Sequence, residues 1–244
     1  MSESTSQIIR ESLCNDDSLS ILTDVLENQV GVEVLEKIPF VSYAVGLLKI
    51  GDLARDRWLL RKIAIFIREV SLNLVSEENR TKALEHFKHD EKTQKQELDY
   101  VLQILDRYLE EDKSSWFGLV YVDFIKGNVN LPLMKTFAEI INRFLPGDFD
   151  ALEQGEMEFL SYDVIPESYL RLASLGLMQK INRLMMDSAK LPNPEFNSGY
   201  TIPPFENGGV FKYTTLGKKL HSIFFPETEI HLIDLGTSSG LFLL

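Results

Sequence analysis

The chain has 244 residues, enough to bury roughly 70% of its unfolded surface without help from a disulfide or a metal. Its net charge of −12 repels phosphate backbones and argues against nucleic acid as the main partner. The one cysteine, Cys14, has no disulfide partner and predicts a reducing compartment.

The opening stretch MSESTSQIIRES has no basic patch followed by an apolar core, so no secretion signal is expected and the setting is read as cytoplasmic. After Asp16-Asp17-Ser18, the apolar residues Leu19, Leu22, Val25 and Leu26 share one helical face. Gly31 and Pro39 interrupt the chain beyond that face. The segment Ile38–Leu48, IPFVSYAVGLL, is the longest uncharged apolar run. As a helix it spans about 16 Å against roughly 30 Å of bilayer hydrocarbon, so no transmembrane span is predicted. It reads first as a core helix after a proline break. The second reading, for residues 38–50, is a helix that meets a partner or inserts into a membrane.

The clearest helix is GDLARDRWLLRKIAIFIREV. Leu59, Leu60, Ile63, Phe66, Ile67 and Val70 form its apolar stripe, and Arg57, Arg61 and Arg68 lie off it. Ser76 followed by Glu77-Glu78-Asn79 predicts a capped helix start. Further helices are expected over Lys92–Leu109, with Leu98, Val101, Leu102, Leu105 and Leu109 inward, and over Ser114–Lys126 and Leu131–Leu145. Pro146-Gly147 ends the last of these and marks a domain boundary.

Beyond Pro146 a short helix is expected over Phe149–Gln154. In PESYLRLASLGLMQKINRLMM, a buried helix stops at Gly176 and MQKINRLM can form a strand. The turn-rich stretch 191–209 holds four of the nine prolines and cannot be helix or central strand. VFKYT then reads as a strand, and Thr214 or Thr215 can cap a helix over TLGKKLHSIFF. Helix, glycine, strand, long loop, strand is the layout of a winged-helix unit. The fold class is therefore mainly α: an N-terminal helical domain over 1–145, a small α+β winged-helix-like unit over 146–225, and a C-terminal tail or edge strand over 226–244.

No residue set names a reaction. The tail IHLIDLGTSSG places Asp234, Gly236 and Gly240 like a nucleotide-binding turn, but such a turn needs a following helix and a parallel sheet, so it reads as structural. His86 and His89, three apart beside Asp90 and Glu91, are too few to hold zinc and read as a solvated face. Glu110-Glu111-Asp112 reads as a helix end, Asp148 and Asp150 as helix caps, and Cys14 lacks a base to activate it. No catalytic, cofactor-binding or metal-binding residue is assigned, and the protein is read as a non-enzyme without a cofactor.

Binding is a different matter. Arg55, Arg57, Trp58 and Arg61 gather an aromatic side chain among cations, the composition of a protein-contact patch. In the second domain Arg171 and the loop around Phe196 and Tyr200 are the candidate contacts. A protein partner or homo-oligomer is expected. Nucleic acid is an alternative, with Arg171 on the recognition helix and Lys180, Arg183, Lys212, Lys218 and Lys219 on the backbone; the region's zero net charge weakens it. A membrane is the other alternative, through residues 38–50.

Two stretches resemble a known family. Residues 38–70, IPFVSYAVGLLKIGDLARDRWLLRKIAIFIREV, resemble a segment of small bacterial proteins of mobile elements and phage defence. YLRLASLGLMQKI with the later KYTTLGKKLHSIF is similar to the ending of the abortive-infection alpha-type proteins. The resemblance implies a bacterial helical protein with a C-terminal winged-helix-like unit and a place in anti-phage defence. It carries no catalytic residues. The 191–209 insertion and the IDLGTSSG tail depart from the family pattern.

Overall fold

The computed structural model describes residues 5–13, 18, 20–22, 26, 35, 37–48, 54–87, 91–161, 165–181 and 207–227. The chain divides into two units, residues 1–143 and 144–244. Cys14, His89, Arg183, the loop with Phe196 and Tyr200, and the tail with Asp234, Gly236 and Gly240 lie outside the described residues.

The first unit is helical. Its described helices are α1 (Thr5–Leu13), α2 (Pro39–Leu48), α3 (Ala54–Asn73), α4 (Glu77–His86), α5 (Glu91–Arg107), α6 (Asp112–Ile125) and α7 (Leu131–Arg143). The expected stripe of α3 is buried along its length, from Leu59 to Val70, as an amphipathic helix facing a core must be. Aromatic rings fill that core: Phe66 lies 5.5 Å from Phe117, 5.3 Å from Tyr121 and 6.4 Å from Phe40 between ring centroids. Helices α3 and α6 approach closely at Gly118, where a β-carbon would lie 2.8 Å from Glu69 Cβ. Ser76 caps α4 by accepting from the Asn79 amide, the start expected from its sequence.

Helix α2 buries Phe40, Val41 and Ala44, and Ile38 just before it is buried too. It is tied to α1 where the Phe40 amide donates to Ser12 Oγ at 2.8 Å, and to α5 where the Tyr43 hydroxyl donates to Asp99 Oδ1 at 3.0 Å. Burial, then the Asp99 carboxylate, pushes the Tyr43 hydroxyl up to about 12. Among the described residues, no helix is long and apolar enough to cross a membrane.

The second unit is a small α+β assembly: α8 (Asp148–Gln154), β1 (Met157–Ser161), α9 (Glu167–Ser174), β2 (Met178–Ile181), β3 (Asn207–Tyr213) and α10 (Thr215–Phe224). Together the units make the chain mainly helical with a small antiparallel sheet near its C-terminal end. The strand order is β1-β3-β2, both pairs antiparallel, with Met157 opposite Phe211 and Met178 opposite Tyr213. Strand β1 has no counterpart among the elements expected from the sequence. MEFLS is short, lacks a β-branched residue and carries Glu158, and its partner lies about fifty residues on. It holds because Phe159 packs edge-on against Tyr169 and Phe211, at 5.1 and 5.8 Å.

Gly176 ends α9 at φ 75°, a conformation that favours glycine. Thr214 then joins three pieces of backbone. Its hydroxyl accepts from the Gly217 amide and donates to Gly176 O, and its amide donates to Leu177 O. Gly217 itself is pressed so closely on the Leu177 carbonyl that a β-carbon would lie 1.9 Å from that oxygen. The Tyr213 hydroxyl donates to Leu152 O and the Tyr169 hydroxyl to Gly155 O, tying α8 and its exit to the sheet.

Candidate interaction surface

The geometry of an α-helix decides what α3 shows to solvent. At 100° per residue, Trp58, Ile65 and Leu72 fall within about 40° of one another, and Arg61, Arg68 and Arg57 continue the same arc. The other side of the helix is buried, so this arc is its outward face. Trp58 is 44% exposed and Leu72 47%, Arg57 and Arg61 are exposed, and Ile65 and Arg68 are half-buried. Glu69 borders the arc on the α6 side, where it accepts from the Ser115 hydroxyl at 2.8 Å. The arc itself is apolar and cationic. Arg55 lies in the same helix, but its side chain is outside the described residues.

A turn from α5 into α6 is held beside the N-terminal half of α3. Lys62 is buried and donates its ammonium to Tyr108 O at 2.7 Å and Asp106 O at 3.3 Å. These carbonyls at the end of α5 carry partial negative charge, which a cation satisfies. Next to it, Arg61 Nε pairs with Glu111 Oε1 at 2.7 Å. Lys113, also buried, pairs with Glu110 at 2.6 Å and donates to Asn142 O at the end of α7. The acidic run 110–112 thus does two structural jobs and leaves Asp112 exposed, with no ion pair among the described residues.

The turn corrects one expectation. Sequence periodicity places Leu109 inward as the last residue of a helical stripe, yet α5 ends at Arg107 and Leu109 is 80% exposed. Lys62 draws the Asp106 and Tyr108 carbonyls inward, and the following side chain turns out. Periodicity cannot see this, because it assumes the helix continues.

His86 is a second correction. It is not on a solvated face: its Nε2 lies 3.2 Å from both Glu97 carboxylate oxygens, and its ring packs edge-on against Phe87 and Phe124. The buried Tyr121 hydroxyl donates to Glu97 Oε1 at 2.5 Å. Burial first, then the Glu97 charge, raises the Tyr121 hydroxyl well above its ordinary range. This cluster joins α4, α5 and α6 and satisfies a sparsely hydrated carboxylate. Among the described residues, no three histidine, cysteine, aspartate or glutamate side chains gather as metal ligands.

Arg171 is the third. The sequence offers it as a free contact, but its Nη2 pairs with Asp148 Oδ1 at 2.8 Å and its Nε donates to both oxygens of that carboxylate, while Nη1 lies 3.4 Å from Glu167. Asp148 is fully buried and also accepts the Leu145 amide at 2.8 Å. It therefore closes the turn before α8 and locks Arg171, rather than serving as a helix cap. A buried carboxylate needs that cation, and α9 brings the two together across 23 residues of sequence.

The structure thus keeps Arg57, Trp58 and Arg61 on one outward face of α3, adds Ile65 and Leu72 to it, and commits Arg171 elsewhere. No family model, no curated protein and no solved structure matches this chain.

Proposed function

We propose that this protein acts through contacts with another protein chain, made by the outward face of α3. The carrying observation is Trp58, nearly half exposed between Arg57 and Arg61 on a helix whose other face is core. Tryptophan and arginine are among the residues most enriched where binding energy concentrates. The biological setting rests on the resemblance to the abortive-infection alpha-type proteins: bacterial, cytoplasmic and directed against phage.

The test is a phage challenge of bacteria expressing the chain. Wild type is expected to lower plaque counts for at least one phage, and Trp58→Asp to restore them at equal expression and melting temperature. Protection undiminished in that variant would remove α3 as the acting surface, and no protection by wild type would remove the setting.

The helix–strand–helix–hairpin order of the second unit supports a second reading, a winged-helix nucleic-acid binder. Against it, Arg171, the one basic residue of α9, is occupied by Asp148. Steeply salt-dependent binding lost on reversing Lys218 and Lys219 would favour this alternative. A membrane role for residues 38–50 would first require α2 to give up the buried contacts of Phe40, Val41 and Ala44.

A further inference from the structure

We infer that the occupant of the outward face of α3 is an acidic amphipathic helix of another protein, laid along α3 with its own apolar residues at seven-residue spacing. This rests on α3 being a contact surface and goes further by naming the chemistry of what covers it.

The residues concerned lie on one helix, so helix geometry by itself places them relative to one another. Trp58, Ile65 and Leu72 follow at intervals of seven, and a straight helix carries such residues round by only about 20° per step. They form a single row about 21 Å long, with one apolar side chain every two turns. The two ends of the row are exposed and Ile65 in its middle is half-buried. A helix that lies in a membrane surface presents a broad apolar face. A row this narrow is instead the seam that a second helix follows.

The sign of the partner follows from what flanks the row. Arg61 and Arg68 stand three residues after Trp58 and Ile65, the second seam position of a heptad, and Arg57 continues them along the same flank. Glu69 borders the other flank and already accepts from Ser115 and Asn73. Asp56 falls on the core side of the helix, about 100° beyond Arg57. Glu111, in the turn that Lys62 holds, meets the charge of Arg61, and Arg57 beyond it is exposed. Helix α3 has five basic and two acidic residues in a chain of net charge −12, so this face is opposite in sign to the molecule that carries it. A phosphate backbone would meet the arginines, but it offers nothing to Trp58, Ile65 and Leu72 and is repelled by the chain as a whole. A second copy would bring arginines of its own to the contact. A helix with glutamate or aspartate beside its own apolar row satisfies both rows at once.

The experiment titrates the full chain into a fluorescein-labelled synthetic helical peptide of about three heptads and reads anisotropy. The peptide carries leucine at every seventh position with glutamate beside it. One control peptide replaces each glutamate by lysine, and a second keeps the composition but breaks the seven-residue spacing. The glutamate peptide is expected to bind about tenfold more tightly than either control. Trp58→Asp and Leu72→Asp are each expected to weaken it about tenfold while far-UV circular dichroism stays unchanged. Arg57→Glu is expected to weaken the glutamate peptide and strengthen the lysine one, a reversal that a misfolded variant could not produce. Wild type that binds no peptide, or binds all three alike, overturns the proposal, as does binding indifferent to Leu72→Asp. Binding to anionic-lipid vesicles but not to the glutamate peptide also overturns it and gives the face to a membrane. A doubled chain mass by light scattering that Trp58→Asp halves, with no peptide bound, gives it to a second copy. Phage protection that depends on Trp58, without peptide binding, would defeat the acidic helix and leave the contact reading of α3 intact.

Discussion

At Gly217 an ordinary helix position becomes intolerant of any side chain. An added β-carbon would stand 1.9 Å from the Leu177 carbonyl oxygen, and backbone cannot yield as a side-chain tip can. Gly217→Ala is expected to cost about 3 kcal/mol, the upper range of overpacking, read as a lowered urea midpoint by circular dichroism. His221, four residues on, is buried between the rings of Tyr213 and Phe225, at 5.3 and 5.0 Å. Burial lowers its tendency to take a proton, against a smaller opposing effect from Glu153. The folded state thus binds that proton less readily than the unfolded one. Stability from this group is present above the ordinary histidine range and falls as pH drops through it. The melting temperature is expected to decline from pH 7 to pH 5, and His221→Gln to flatten that decline; an equal slope in the variant would show that other groups carry it. At Tyr121, Phe substitution removes the hydroxyl that serves Glu97 and is expected to cost about 1–2 kcal/mol by the same urea measurement.

Elements hold together through pairs that bridge them. Helix α9 is tied to the start of α8 by Arg171 and Asp148. Arg171→Ala leaves a fully buried carboxylate unpaired and is expected to cost about 2–3 kcal/mol, less than the usual figure for a broken buried pair because Arg171 is partly open to water. Adding Asp148→Asn to that variant is expected to recover part of the loss; no recovery would mean that the carboxylate's charge is not the source of the cost. Strand β1 shows the converse dependence. Its five residues have weak intrinsic preference, and pairing with β3 under the Tyr169 ring supplies what propensity does not. For α3, burial of one side was set by the apolar stripe, while the meaning of the other depends on the turn that Lys62 holds beside it.

Across the whole molecule, both tryptophans, Trp58 and Trp116, fall in the first unit, and the second has none. Tryptophan emission therefore reports on the helical unit alone, whereas circular dichroism reports on both. In urea, Gly217→Ala is expected to shift the circular dichroism transition and leave the tryptophan transition in place. Coincident shifts in both signals would show that the two units unfold as one.

The sequence by itself was enough to determine the helical character, the buried stripe of α3, the Ser76 cap and the approximate course of β2 and β3, and it narrowed the cap of α10 to Thr214 or Thr215. Each of these rests on short-range periodicity or on a side chain meeting backbone three residues away. It also singled out Arg55, Arg57, Trp58 and Arg61 as a cluster, of which Arg57, Trp58 and Arg61 have described side chains, all three exposed. Tertiary structure alone decided the rest. Leu109 faces outward because Lys62, far earlier in the chain, takes the carbonyls around it. His86 is half-buried and turned onto Glu97, which Tyr121 also holds, and Arg171 is spent on Asp148. In each case the deciding partner is remote along the chain, and a pattern read within a few turns of helix carries no record of it.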